Sequence, residues 1–99
     1  MGSRKVTVKE NAAEQIAAVA WYIESKGMIA TADKFTDNVY DYFIKMADTR
    51  KNYRFCREPG RAFLGYKCLP YKKKYTIVFF ESDEEIIISE FISSKLVYW

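Results

Sequence analysis

Residues 61–92 constrain this chain most, because apolar and aromatic side chains recur there at strand spacing around a dense block of positive charge. Two turn signals divide the stretch: Pro70 with Tyr71 and Lys72, and then Ser82, Asp83 and Glu84. Three strands result. Links this short impose antiparallel pairing, since a crossover between parallel strands needs about a dozen residues or more. The middle strand, 75–80, is apolar at nearly every position, which places it inside the sheet with both faces covered. Something must therefore pack on the sheet, and the first half of the chain supplies it.

Lys5, Val6, Thr7, Val8 and Lys9 alternate at period two and read as a short edge strand. Asn11 and Glu14 have capping-box spacing, so a helix is expected to begin there with Asn11 as its cap. Ile16, Val19, Ala20 and Ile23 form its apolar stripe, flanked by Trp21 and Tyr22, and Gly27 is a natural stop. A second helix is expected from Thr31 as cap through Asp48, with Phe35, Val39, Tyr42, Phe43 and Met46 as its stripe. Trp21 and Tyr40 read as packing residues. The two helices make a hairpin whose apolar face lies across the sheet. Residues 49–60 lack periodicity and read as an ordered basic loop, closed by a turn at Glu58, Pro59 and Gly60. The expected fold is a single α+β domain, residues 1–99. An N-terminal helical hairpin packs on a small, mainly antiparallel twisted sheet, in the order β-α-α-β-β-β.

Apolar residues make up 49% of the 99, enough for one packed core and too many for a disordered chain. No apolar run approaches the ~20 residues that span a bilayer, and the start of the chain lacks the apolar segment of a secretion signal. A soluble cytoplasmic protein without membrane partners is the default expectation. Histidine is absent, and Cys56 and Cys68 lack metal-ligand spacing, which sets a zinc site aside and reads the cysteines as two buried or idle thiols. No cofactor is implied. The net charge of +3 conceals an asymmetry. Between positions 50 and 75 stand Arg50, Lys51, Arg54, Arg57, Arg61, Lys67, Lys72, Lys73 and Lys74 against Glu58 alone. Such a surface suits a polyanion or an acidic protein segment, and Arg54, Arg57, Arg61, Lys72, Lys73 and Lys74 are the candidate nucleic-acid-binding residues. For Lys72, Lys73 and Lys74 alone, a solvated loop is the plainer reading.

With these residues in view, the chain resembles the RelE/ParE superfamily of toxins from bacterial type II toxin-antitoxin (plasmid stabilisation) systems. Tyr22-Ile23, the break at Gly27, and Ala32-Asp33-Lys34-Phe35 with Val39 are similar to the ParE-type hairpin. Pro59-Gly60, Gly65-Tyr66-Lys67-Cys68-Leu69, Tyr75-Thr76-Ile77-Val78-Phe79 and the Ile86 to Ile92 run are similar to the family's connection and three meander strands.

The resemblance implies growth inhibition, either by ribosome-dependent mRNA cleavage or by binding DNA gyrase, with neutralisation by a cognate antitoxin. The alternative is a non-toxic or degenerate member that serves as a protein-binding module. For cleavage it implies Lys67, Lys95 and Tyr98 as catalytic residues. Lys67 stands where many members have arginine, Ser93-Ser94-Lys95 where many have a His-Gly-Arg group, and Thr76 where the nucleases often carry arginine. Metal-free cleavage requires a base, cations around the phosphate and an acid. Lys67, Lys95 and Arg61 on one sheet face would form a phosphate clamp, with Tyr98 as proton donor or stacking group. Clustered cations would lower the pKa of Lys67 or Lys74 in that scheme. Gyrase inhibition needs only a complementary surface, and the longer helical hairpin is closer to that branch. Leu96, Val97, Tyr98 and Trp99 read as a strand segment or tail folded back on the core.

Overall fold

The structure, a computed structural model, describes residues 4–48 and 53–96. Strand β1 (Lys5–Val8) is followed by helices α1 (Glu10–Ser25), α2 (Ile29–Met46) and the short α3 (Pro59–Phe63). Strands β2 (Lys67–Tyr71), β3 (Tyr75–Glu81) and β4 (Glu85–Ser93) come next, and a 3-10 turn (Ser94–Leu96) ends the described chain. The sheet order is β1-β4-β3-β2, with β1 parallel to β4 and the other pairs antiparallel. A helical hairpin thus packs on a four-stranded mixed sheet, with β3 interior and β1 at an edge. Among the described residues no helix is long and apolar enough to cross a membrane.

The helices cover one face. Ala12 and Ile16 of α1, with Val39, Phe43 and Met46 of α2, meet Ile77 and Phe79 of β3 and Ile86, Ile88 and Phe91 of β4. Strict alternation would turn Phe91 away from Ile86 and Ile88. A bulge at Ser89 resets the parity: Phe79 pairs with Ile88, whereas Val78 pairs with Glu90. Helix α1 serves the backbone at this irregularity, since Asn11 Nδ2 donates to the Ser89 carbonyl at 3.4 Å and the Phe91 N–H donates to Gln15 Oε1 at 2.8 Å. Asn11 therefore lies inside the helix, and the cap position falls to Lys9, which makes no side-chain cap bond. On the opposite face, Cys56, Cys68 and Val78 form a second cluster with Tyr66 and Ile92. Both faces of β3 are covered, as its continuous apolar run demands.

Other local expectations are corrected. Helix α2 begins at Ile29, so Thr31 is not its cap. Pro59 and Gly60 open α3 instead of closing a turn, because proline's fixed φ suits the first helical turn, where its missing N–H costs nothing. Arg61 and Phe63 consequently sit in a helix, and the first meander strand is shortened to β2. Pro70 and Tyr71 stay in that strand, and the reversal is made by Lys72, Lys73 and Lys74. Lys72 (φ 51°) and Lys73 (φ 65°) are both left-handed, at a cost of ~1–2 kcal/mol each for an L-residue, where tight hairpins favour Asn-Gly. Trp21 is 71% exposed and is not a packing residue, whereas Tyr40 packs edge-on against Phe43.

The two cysteines are bonded to each other rather than idle. Residues 53–56 run antiparallel along the outer edge of β2: Phe55 bridges to Lys67, the Cys56 N–H donates to the Tyr66 carbonyl at 3.0 Å, and the Cys68 N–H donates to the Arg54 carbonyl at 3.4 Å. That pairing brings the Cys56 and Cys68 Cα atoms to 4.8 Å.

Candidate functional site

The cations that form one block in the sequence fall into separate places in the fold. Lys67 opposes Phe79 across the β2–β3 ladder and so points to the helix-covered face. Its Nζ donates to Glu81 Oε1 at 2.5 Å and sits 5.0 Å from the centroid of the Phe55 ring. Arg4 approaches the other oxygen of the same carboxylate, Nη1 to Oε2, at 2.5 Å. The Arg4 Nη2 donates to the carbonyls of Met46 at 3.2 Å and Asp48 at 3.1 Å, satisfying the C-terminal end of α2. Burial pushes the Glu81 carboxyl up, but hydrogen bonds from Lys67 and Arg4 outweigh it and hold the group below its ordinary value. Lys67 thus belongs to a cluster that ties the start of β1, the end of α2, β2 and β3 together.

Arg61 lies on the other face. Its Nε and Nη2 donate to the two carboxylate oxygens of Glu90, each at 3.2 Å, and its Nη1 reaches Glu58. Glu90 pairs with Val78, on the side away from the main core. The hydrogen bond to Glu90 raises the guanidinium above its ordinary value. Lys95 is exposed in the turn that follows the Tyr75–Ser93 rung, whereas Lys67 stands at the Phe79 rung. Four residues of β3 separate the two rungs, ~13 Å at ~3.3 Å per residue. Lys67, Lys95 and Arg61 are therefore not brought to one point, and Tyr98 lies outside the described residues, as do Arg50 and Lys51.

Arg54 and Arg57 line a groove of about 540 Å³ beside β2, with Phe55, Leu69 and Pro70. Lys72, Lys73 and Lys74 occupy the tip of the β2–β3 hairpin, and the Ser94 N–H donates to the Lys74 carbonyl at 2.9 Å, which places Lys95 at the same end. An apolar surface lies where α3 leads into β2, at the end of β3 away from the hairpin tip. Phe63 is 90% exposed and Leu64 65%, next to Gly65, where an added Cβ would stand 3.2 Å from Phe80 Cε1. Among the described residues no three metal-ligating side chains cluster.

The carboxylates that decide this electrostatic layout were not singled out in the sequence. Glu81 ends an apolar strand and Glu90 interrupts another, positions where an acid facing a packed sheet requires a cationic partner. No family model matches the chain, and comparison with the curated proteins finds no relative.

Proposed function

We propose that the chain is a growth-inhibiting toxin of the RelE/ParE type that acts in the cytoplasm by binding its target, DNA gyrase, and is neutralised by a cognate antitoxin. The order of strands and helices, with the hairpin laid on one sheet face, supports the likeness on which this reading rests. One observation favours binding over RNA cleavage: Lys67 and Arg61 are each engaged by a carboxylate, and they lie on opposite faces of the sheet. Cleavage needs its acid, base and cations within hydrogen-bond reach of one phosphate. Binding needs a surface, and the exposed Phe63 and Leu64 beside Phe80 supply apolar anchors of the kind that dominate interfaces. An acidic antitoxin segment finds its charge complement in the Arg54 and Arg57 groove.

The test is controlled expression in a bacterium, alone and together with the candidate antitoxin. Growth arrest relieved by the second protein supports the proposal. Unimpaired growth in both cases leaves a non-toxic binding module.

A further inference from the structure

A cleft of about 530 Å³ opens on the helix side of the hairpin tip, between α2 and the β2–β3 turn. Lys34, Phe35 and Asn38 of α2 face Lys72, Lys74 and Tyr75 across it, within the size range of small-ligand sites. We propose that this cleft binds a nucleoside monophosphate unit, with the base against Phe35 and Tyr75 and the phosphate among Lys34, Lys72 and Lys74. This site is separate from the gyrase-binding surface and does not rest on that reading.

Three observations carry it. First, the three lysines form no ion pair among the described residues, unlike Lys67 and Arg61, whose charges are matched by carboxylates. Three ammonium groups around one opening suit the dianionic phosphate of a monoester. Secondly, the aromatic wall is fixed before any ligand arrives. Tyr75 stacks on Phe91 with ring centroids 4.9 Å apart, Phe35 meets Tyr75 edge-on at 6.0 Å, and Tyr71, which also lines the cleft, is held by Tyr42 at 5.1 Å. The half-buried Asn38 amide makes no hydrogen bond among the described residues, leaving a donor and an acceptor for the edge of a base. Burial raises the Tyr71 hydroxyl, so it stays protonated and able to donate to an anion. Thirdly, the turn holds lysine in two left-handed positions that Asn-Gly fills with less strain. Only Lys72 of that pair lines the cleft, which allows the strain and the binding role to be separated.

The experiment titrates the full chain with adenosine 5′-monophosphate, adenosine, inorganic phosphate, phenyl phosphate and a hexa-adenylate strand, following amide chemical shifts at constant salt. Adenosine 5′-monophosphate is expected to saturate, with shifts at Lys34, Asn38 and Tyr75, and to bind about tenfold tighter than adenosine or phosphate, the loss expected for one charge-assisted contact. Lys34→Gln, Lys74→Gln and Lys72→Asn should each weaken it by about tenfold. Lys73→Gly should leave it unchanged, and both Lys72→Asn and Lys73→Gly should raise the melting temperature, so a binding loss in Lys72→Asn cannot come from misfolding. Hexa-adenylate binding tighter than the mononucleotide identifies the unit as part of a strand, and equal or weaker binding identifies a free nucleotide; both support the site. Equal affinity for phenyl phosphate, equal weakening by Lys73→Gly, or no saturable shift overturns it.

Discussion

Replacing Glu81 by glutamine tests whether Lys67 is a structural cation. Glu81 and Arg4 side chains are 9% and 6% exposed, and Lys67 is 18% exposed. Removing one member of a buried ion pair costs ~3–5 kcal/mol, because the remaining charge is left uncompensated. The lower end applies here, since Lys67 can reach water and Arg4 keeps its carbonyl acceptors on Met46 and Asp48. For a domain of this size, ~3 kcal/mol corresponds to a melting-temperature drop of roughly 12–24 °C, measured by circular dichroism. The pH dependence has a definite sign. The Glu81 carboxyl is held below its ordinary value, so its stabilising contribution is complete above that value and is lost as pH falls from there through the folded-state value. Wild type should therefore lose more stability on acidification than Glu81→Gln. A drop under about 4 °C at neutral pH, near ~1 kcal/mol or less, refutes the reasoning.

Reducing the Cys56–Cys68 bond, or replacing both cysteines by serine, should cost about 3 kcal/mol for a loop with a sequence separation of 12, read from urea unfolding with and without reductant. Because disulfides are rare in reducing cytosol, action there requires the reduced chain to remain folded, and an unfolded reduced form would contradict cytoplasmic action. Gly65→Ala should destabilise by ~1–2 kcal/mol, since φ is +86° and the new Cβ meets Phe80; an unchanged denaturation midpoint would contradict the turn geometry. Phe63→Ser should leave melting within ~0.5 kcal/mol of wild type while relieving growth arrest, and full toxicity in a folded variant would remove this surface from the target interface.

The sheet was legible where the pattern is local. The apolar run of β3, the break at Ser82, Asp83 and Glu84, and the alternation in β1 each specify a strand through side chains adjacent in sequence. Two features were misread and a third, the bulge, went unread. Pro59 at a first helical turn marks α3, the three-residue step from Ile88 to Phe91 marks the Ser89 bulge, and the hydrophobic start of α2 overrode Thr31 as cap. The charge layout was misread for a different reason. Lys67 meets Glu81 through the β2–β3 register and Arg61 meets Glu90 through the placement of α3 against β4, 14 and 29 residues apart in sequence, so a sliding count of charge sees the cations without their partners. The Cys56–Cys68 bond depends likewise on residues 53–56 following the β2 edge, a pairing that no periodicity in that segment announces.

Gyrase binding is tested with purified protein and DNA gyrase in a supercoiling assay, run beside a reaction containing ribosomes and message. Inhibition of gyrase by both wild type and the Lys67→Gln, Lys95→Ala double variant, with the message intact, is the predicted result. Message cut by wild type and spared by the double variant would contradict it.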